Sequence, residues 1–262
     1  MPTTALKAYR KTGRSGDPLP RVPALQQVYQ AGQELRRGQL LMIAGVPNSG
    51  KSSLALYMAA NMPVPSLFFS ADQDWWTTST KFTAALTGEP ARAIFGALQP
   101  TWVEALESSH VWFCFDSCPS VEDIGRELDA YVEVHDEWPS VIWIDNLVNV
   151  EGAGEYQTDQ WIMSELHFLA RATGALVVVL AHASEAQAPD SSRPPRRKDI
   201  INKLAKLPET IFTVANDGDR FLLALVKSRE CRSDANADRP YTLGVDFDRM
   251  QFYPQANYYG GW

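Results

Sequence analysis

The chain has 262 residues, enough for one large α/β domain with an extension, and its 45% hydrophobic content supports a sizeable core. No run of about 18 apolar residues occurs, which argues against a transmembrane helix, and the amino terminus carries Lys7, Arg10, Lys11 and Arg14 without the apolar stretch of a secretory signal. A net charge of −7 excludes a broadly basic nucleic-acid coat, though not a local basic stripe, and Cys114, Cys118 and Cys231 form neither a disulfide framework nor a zinc ligand set, which points to a reducing, cytoplasmic setting.

Residues 1–23 are rich in Pro, Gly, Thr and basic side chains, with Pro18, Pro20 and Pro23 resisting helix, and read as an extended arm. The core is expected to begin near Ala24, so the second unit spans residues 24–262. Leu40–Ala44 is a short apolar strand, and a helix opens just after the loop that follows it. Ser66–Ser70 is a strand; Asp74–Leu86 and Thr101–Ser108 look helical. Val111–Phe115 is a strand, Val121–Val134 a helix, Val141–Asp145 a strand, Asp159–Thr173 a helix and Ala175–Ala181 a strand. Strands joined by helices of this length predict an α/β fold with a mostly parallel sheet covered on both faces. Thr210–Val214, Phe221–Val226 and Thr242–Phe247 are strands separated by short polar turns such as Asn216–Asp219, which predicts a carboxyl-terminal antiparallel extension.

The loop after the first strand reads Gly45-Val46-Pro47-Asn48-Ser49-Gly50-Lys51-Ser52, a full G-x-x-x-x-G-K-S/T pattern in the strand–loop–helix context that makes it a nucleotide site. Gly45 and Gly50 let backbone N–H groups turn toward phosphate oxygens, with Pro47, Asn48, Ser49 and Ser53 completing the cradle, and the helix N-terminus adds partial positive charge. Lys51 is expected to reach the β- and γ-phosphates of ATP, and the Ser52 hydroxyl to ligate Mg²⁺. A second carboxylate should end an apolar strand beside the loop strand, and Asp145 at the end of Val141–Asp145 fits.

A hydrolase needs a group that orients or deprotonates the attacking water. The strand ending at Ser70 leads into Ala71-Asp72-Gln73-Asp74, with Asp72 the better candidate and Asp74 the reserve, since Asp74 can instead cap the following helix. His182, just past the strand Leu176–Leu180, could contact the γ-phosphate as a sensor or serve as an ordinary hydrogen-bonding partner. From Glu185 to Lys206 the chain gathers Arg193, Arg196, Arg197, Lys198, Lys203 and Lys206, a dense basic patch that reads as a strand-binding loop or as a solvated face. Lys227 and Arg229 end a strand at period-two spacing, so both can point to one side and neutralise a neighbour's γ-phosphate, or simply stand on the surface.

Together these positions resemble the RecA-like ATPase domain of DnaB-type and RepA-type hexameric replicative helicases over roughly residues 24–253. The likeness is carried by Gln39–Gly45, Leu67–Ser70, Ile142–Asn146, Leu180-Ala181-His182, Lys227-Ser228-Arg229 and the strands around Thr242–Phe247 and Gln251–Tyr253. It implies a RecA-like P-loop fold and a DNA helicase activity. The implied assembly is a ring-forming homo-oligomer, a hexamer, that hydrolyses ATP with Mg²⁺ and translocates on single-stranded DNA, with a primase or loader protein as partner. Lys51, Ser52, Asp145 and Asp72 would come from one subunit, and Lys227 and Arg229 from the next, as paired fingers. Two departures stand out: the family's acid is usually Glu where this chain has Asp72, and the sensor is Gln in DnaB-type proteins but His, as here, in RepA-type ones. The arm of some two dozen residues stands where the family has a primase-contacting domain, an architecture that suits a phage or plasmid genome. The competing readings are a RecA-like recombinase or loader that forms filaments, and a P-loop regulatory ATPase or kinase that binds no nucleic acid, which the net charge favours.

Overall fold

In the computed structural model, which describes residues 16–96, 99–184, 192–218 and 220–255, nine strands form a single sheet. They are β1 (Leu40–Gly45), β2 (Ser66–Ser70), β3 (Val111–Cys114), β4 (Val141–Asp145), β5 (Leu176–His182), β6 (Thr210–Asn216), β7 (Phe221–Lys227), β8 (Tyr241–Asp246) and β9 (Gln251–Pro254). Their spatial order is β3-β2-β4-β5-β1-β6-β7-β8-β9. The first six in that order run parallel, and β7, β8 and β9 add on antiparallel. The parallel sheet with an antiparallel extension matches the sequence reading, with one difference. Strand β6, expected in the extension, pairs parallel with β1 and belongs to the central sheet.

Strands β1 and β4 are buried at every position, as two-faced burial of a parallel sheet requires. The helices are α1 (Gln26–Gln30), α2 (Lys51–Ala60), α3 (Trp75–Thr87), α4 (Ala91–Ile94), α5 (Pro100–Glu107), α6 (Val121–His135) and α7 (Tyr156–Thr173). One core, with Leu54, Met58 and Phe82 facing Phe68, Trp143 and Phe212, packs α2 and α3 on one side of the sheet. The other, with Ile124, Leu128, Ile162 and Leu166 facing Ile142 and Val177, packs α6 and α7 on the opposite side. Helix α6 starts at a reciprocal cap in which the Ser120 hydroxyl accepts from the Asp123 N–H and the Asp123 carboxylate accepts from the Ser120 N–H.

The core starts ahead of Ala24. Leu19 and Val22 are buried, Pro18 bridges Arg36, and the Leu19 N–H donates to the Leu35 carbonyl at 2.8 Å. Two apolar side chains were enough to pull a Pro-rich stretch onto the body. The rest of the expected arm, residues 1–15, lies outside the described residues, as do residues 185–191 of the basic segment, Asp219 of the polar turn and the last stretch, 256–262. Among the described residues no helix is long and apolar enough to cross a membrane.

The sheet positions the site by register. Ser70 pairs with Asp145, and Gly45 pairs with His182, so the carboxyl ends of β2, β4, β5 and β1 form one ledge. Strand β4 does not lie beside β1, as the sequence reading expected, because β5 is inserted between them. Uniformly apolar strands carry no pattern that distinguishes neighbours, so their order is invisible until the crossover helices have packed.

Phe221 supports the ledge from below. Its ring meets Phe252 edge-on with centroids 5.0 Å apart, and a Cβ placed on Gly50 would come within 2.8 Å of it. Phe221→Ala should therefore cost about 3–5 kcal/mol in urea denaturation, the range for emptying a buried aromatic site. A loss under about 1 kcal/mol would show that this side chain does not hold the loop.

Candidate active site

Gly50 sits at φ 86°, a left-handed turn that starts α2, and Gly45 leaves no room for a side chain. A Cβ on Gly45 would strike the Ser49 hydroxyl and lie 2.8 Å from the Val214 carbonyl. The Ser49 hydroxyl is buried without a partner among the described residues. Pro47 and Asn48 form the exposed crest of the loop, and Ser53 is half-buried on the first turn of α2. A side-chain-free loop at a helix N-terminus, with an orphaned hydroxyl inside it, fits a phosphate group.

Lys51 is buried, and its ammonium donates to the carbonyls of Gly45 at 3.1 Å and Val46 at 2.9 Å. Burial lowers its pKa to about 8, against the pull of the Asp145 and Asp72 charges. The Ser52 hydroxyl donates to Asp145 Oδ1 at 3.0 Å, so the two expected Mg²⁺ ligands meet although a strand separates β4 from β1. Asp145 is buried, and burial raises its pKa to about 6, with the Ser52 hydrogen bond opposing. A hydroxyl and a carboxylate in contact beside a phosphate cradle suit a small hard cation.

Asp72 is exposed on the turn after β2, and its N–H points to the Asp145 carbonyl at 3.3 Å. Asp74 is committed to capping α3: its carboxylate accepts from the N–H groups of Trp76 and Thr77 at 2.9 and 3.0 Å and from the Thr77 hydroxyl at 2.7 Å. Those bonds, led by the Thr77 hydroxyl, hold its pKa below the usual carboxylate range. The side chain of Asp72 has no such commitment to α3. His182 ends β5 half-buried, in register with the first glycine of the loop.

Sequence reading missed Lys81. It lies nearly two turns into α3, half-buried, with its ammonium donating to Gln73 Oε1 at 2.8 Å. Burial lowers its pKa, opposed in turn by the charges of Asp145, Asp72 and Asp74. The signal was present as a 74, 78, 81 spacing, which places the cation on the face of α3 that starts at the acids.

The finger candidates stand elsewhere. Lys227 pairs with Ile211 near the start of β6, which lies beside the start of β1, so it sits at the amino edge of the sheet, more than about 10 Å of strand away from its own phosphate loop. Lys227 and Arg229 also differ in their anchors. The Lys227 ammonium donates to the carbonyls of Ala205 at 2.8 Å and Lys206 at 2.7 Å. Arg229 reaches Glu209 at 3.3 Å, on a buried carboxylate that also accepts from Arg171, His167 and the Leu40 N–H.

In the basic segment, Arg196 is paired with the buried Asp199 through contacts of 2.8 and 3.0 Å while its side chain stays partly exposed. Arg193, Arg197, Lys198 and Lys203 are exposed. Arg197, Lys198, Lys203, Lys206 and Lys227 line one groove of about 530 Å³, and none of the described residues lining it is acidic. Asn202 and Lys203 take left-handed backbones, pinned by Asn202 Nδ2 donating to the buried Asp159 at 2.6 Å and Gln160 donating to the Asn202 carbonyl at 2.8 Å. Asp159 also accepts the Gly154 N–H at 2.8 Å, so the polar loop before α7 and the basic segment share one anchor.

The chain is 31% identical over 255 residues to the Gene 65 protein of Mycobacterium phage L5, covering 92% of this chain and 91% of the relative. The Gene 65 protein of Mycobacterium phage D29 is 26% identical over 227 residues, covering 81% of this chain and 97% of the relative. The chain belongs to the mycobacteriophage Gene 65 protein family. No family model matches its sequence. Among solved structures, a DnaB-like replicative helicase described with its primase interactions superposes with a TM-score of 0.80 at 15% identity, over 98% of this chain and 68% of that one. A second solved structure, an isolated ATPase domain, superposes with a TM-score of 0.79 at 15% identity, over 96% of this chain and 97% of that one. The Gene 65 fold is thus the RecA-like fold of helicase ATPase domains.

The burial of Asp145 makes a testable demand on the chain. With its pKa raised to about 6, Asp145 keeps a proton in the folded chain at pH values where the unfolded chain has released it. Its contribution to stability therefore falls as pH rises from about 4 to about 6 and stays unfavourable above that. Asp145→Asn should stabilise the nucleotide-free protein at pH 7.5 by about 1–3 kcal/mol and change little at pH 4, read by urea denaturation at both values. Equal effects at the two values would contradict the buried-carboxylate assignment.

Proposed function

We propose that this chain is an ATP-hydrolysing motor that assembles as a ring, expected to be a hexamer, and moves on single-stranded DNA as a helicase. The observation that carries the ATPase reading is the contact of Ser52 with Asp145 at 3.0 Å beside a glycine-walled loop that ends in a buried lysine. In this reading the ATPase domain takes in Leu19 and Val22, ahead of the expected start at Ala24, and the residues before it form an arm. The loop N–H groups and Lys51 hold the phosphates of ATP, Lys51 exchanging the Gly45 and Val46 carbonyls for phosphate oxygens. Ser52 and Asp145 would hold Mg²⁺, which would supply Lewis-acid stabilisation to the phosphate charge when bound. Asp72 orients the attacking water and takes its proton, while Asp74 keeps its cap. His182, next to Gly45, relays the state of the γ-phosphate to the basic segment.

Two further arguments support the assembly. Lys227 and Arg229 stand at the sheet edge opposite their own phosphate loop, which supports a role toward a neighbour's nucleotide over their own. A groove lined by cations in an acidic chain suits a phosphodiester backbone. The DnaB-like helicase that shares the fold is described with primase, and a primase or loader is the expected partner here. Both named relatives are phage proteins, consistent with a phage-encoded protein that acts inside its host.

The direct test is ATP turnover with and without single-stranded DNA. Wild type should be stimulated by the strand, and Lys51→Ala should lose all turnover. Arg197→Ala, Lys198→Ala and Lys203→Ala together should remove the stimulation and flatten the log–log salt dependence of strand binding by roughly 0.7 per lost phosphate contact. Unaltered strand affinity and salt slope in that triple variant would remove DNA from this groove.

Subunit sharing makes a separate demand. Arg229→Ala should lower turnover by roughly 10³-fold with nucleotide affinity little changed. Arg229→Ala subunits mixed with Lys51→Ala subunits should regain activity at interfaces that combine an intact loop with an intact finger. Mixed oligomers that form and stay inactive would leave an isolated P-loop ATPase in place of the ring.

A further inference from the structure

The turn that carries Asp72 is held from several directions. The Ala71 N–H donates to the Asp145 carbonyl at 2.8 Å, the Ser70 hydroxyl contacts the Gln73 carbonyl at 3.2 Å and the Thr78 hydroxyl at 2.9 Å, and Asp74 caps α3. All of these contacts lock the backbone or the start of the helix. Among the described residues, the one hydrogen bond that brings a positive charge to the turn comes from Lys81, whose ammonium holds the side-chain amide of Gln73, the residue between the two acids. A half-buried ammonium hydrogen-bonded to a neutral amide keeps its full charge available to its surroundings. Those surroundings are the carboxylates of Asp145, Asp72 and Asp74, whose charges all favour the protonated lysine against the burial that opposes it.

Asp72 and Asp145 repel each other across this turn. Asp145 has Ser52 as its partner, and Lys51 is tied to the loop carbonyls. Both groups on the phosphate side are thus committed elsewhere, and an exposed carboxylate that wanders by an ångström aligns water poorly. We propose that Lys81 is a positioning residue for ATP hydrolysis: through Gln73 it fixes the turn that presents Asp72, and it supplies from the same subunit the positive charge that keeps the acid cluster together. Lys81 is distinct from the finger residues, which stand at the opposite edge of the sheet and serve another subunit.

The inference rests on the ATPase reading, and its test separates the two. ATP turnover is measured for wild type, Lys51→Ala, Lys81→Met, Lys81→Arg and Gln73→Leu, alongside affinity for a fluorescent ATP analogue and melting temperature. Turnover that survives Lys51→Ala defeats the ATPase reading itself, whatever Lys81 does. With that control inactive, Lys81→Met should lower kcat by about 10-fold or more while KM and analogue affinity stay within about twofold, because substrate is held by the loop and not by this turn. Lys81→Arg, which keeps the charge and the donor, should recover most of the rate, and Gln73→Leu should lose part of it. The proposal is overturned if Lys81→Met turns over like wild type, or if KM rises with kcat unchanged. It is equally overturned if Lys81→Met and Lys81→Arg lose rate and melting temperature together, which would reduce Lys81 to packing.

Discussion

A carboxylate sealed at the end of a sheet is costly unless something answers it, and at the end of β4 the answer to Asp145 is the Ser52 hydroxyl at 3.0 Å. That contact ties the first turn of α2 to a strand two places away across β5, and so fixes where the phosphate loop stands relative to the rest of the ledge. It also leaves unpaired charge on both sides of the loop. Lys51 is buried on carbonyls and Asp145 is buried on a hydroxyl, each with a pKa moved toward its neutral form. A site kept in this condition is electrostatically unfinished, and in the proposed reading a metal-bound polyphosphate would supply the anions that Lys51 lacks and the cation that Asp145 lacks.

Charge is also segregated on the larger scale. The acids Asp72, Asp74 and Asp145 gather at the carboxyl edge of the parallel strands, and Lys227 and Arg229 stand at the amino edge. The basic groove opens beside Lys227, built from a segment that crosses the face of α7. A net charge of −7 therefore says little about local strand binding, because five cations share one groove and none of the described residues lining it is acidic.

Much of this was legible in the sequence, for definable reasons. The phosphate loop was readable because its chemistry demands particular residues at fixed spacing, and Asp145 because a polar residue that closes an apolar run has few roles. Strand order was not readable, since β1, β4 and β5 are apolar up to their last residues and carry no mark of which neighbour each will take. The parallel pairing of β6 was hidden behind the short turn that follows it, which signals a hairpin with β7 but says nothing of β1. Leu19 was lost among prolines. Arg196 looked like its basic neighbours because an ion pair with Asp199, three residues on, can be read from spacing only when the intervening backbone turns back. Lys81 was overlooked because a single cation in a helix is ordinarily solvated, and only the packing of α3 against the sheet turns it toward the acids.

The anchoring of the two finger candidates bears on how such a site would be switched. Arg229 shares the buried carboxylate of Glu209 with Arg171, His167 and a backbone N–H, and Lys227 rests on two carbonyls of its own chain. Burial pushes the Glu209 pKa up, yet its donors outweigh that and hold it below the usual carboxylate range, so the anchor stays charged. Arg229 is half-exposed at the far end of this arrangement, and its 3.3 Å contact is the longest of the four on Glu209. Release of Arg229 would therefore leave the anchor satisfied by its remaining partners, so the proposed transfer to a neighbour's phosphate would carry no penalty of a stranded buried carboxylate. Lys227 gives up only neutral carbonyls, which solvent can replace. The same contacts that hold both cations close in the single chain would thus leave them easy to recruit in the proposed ring, where a second subunit would bring a triphosphate to that edge.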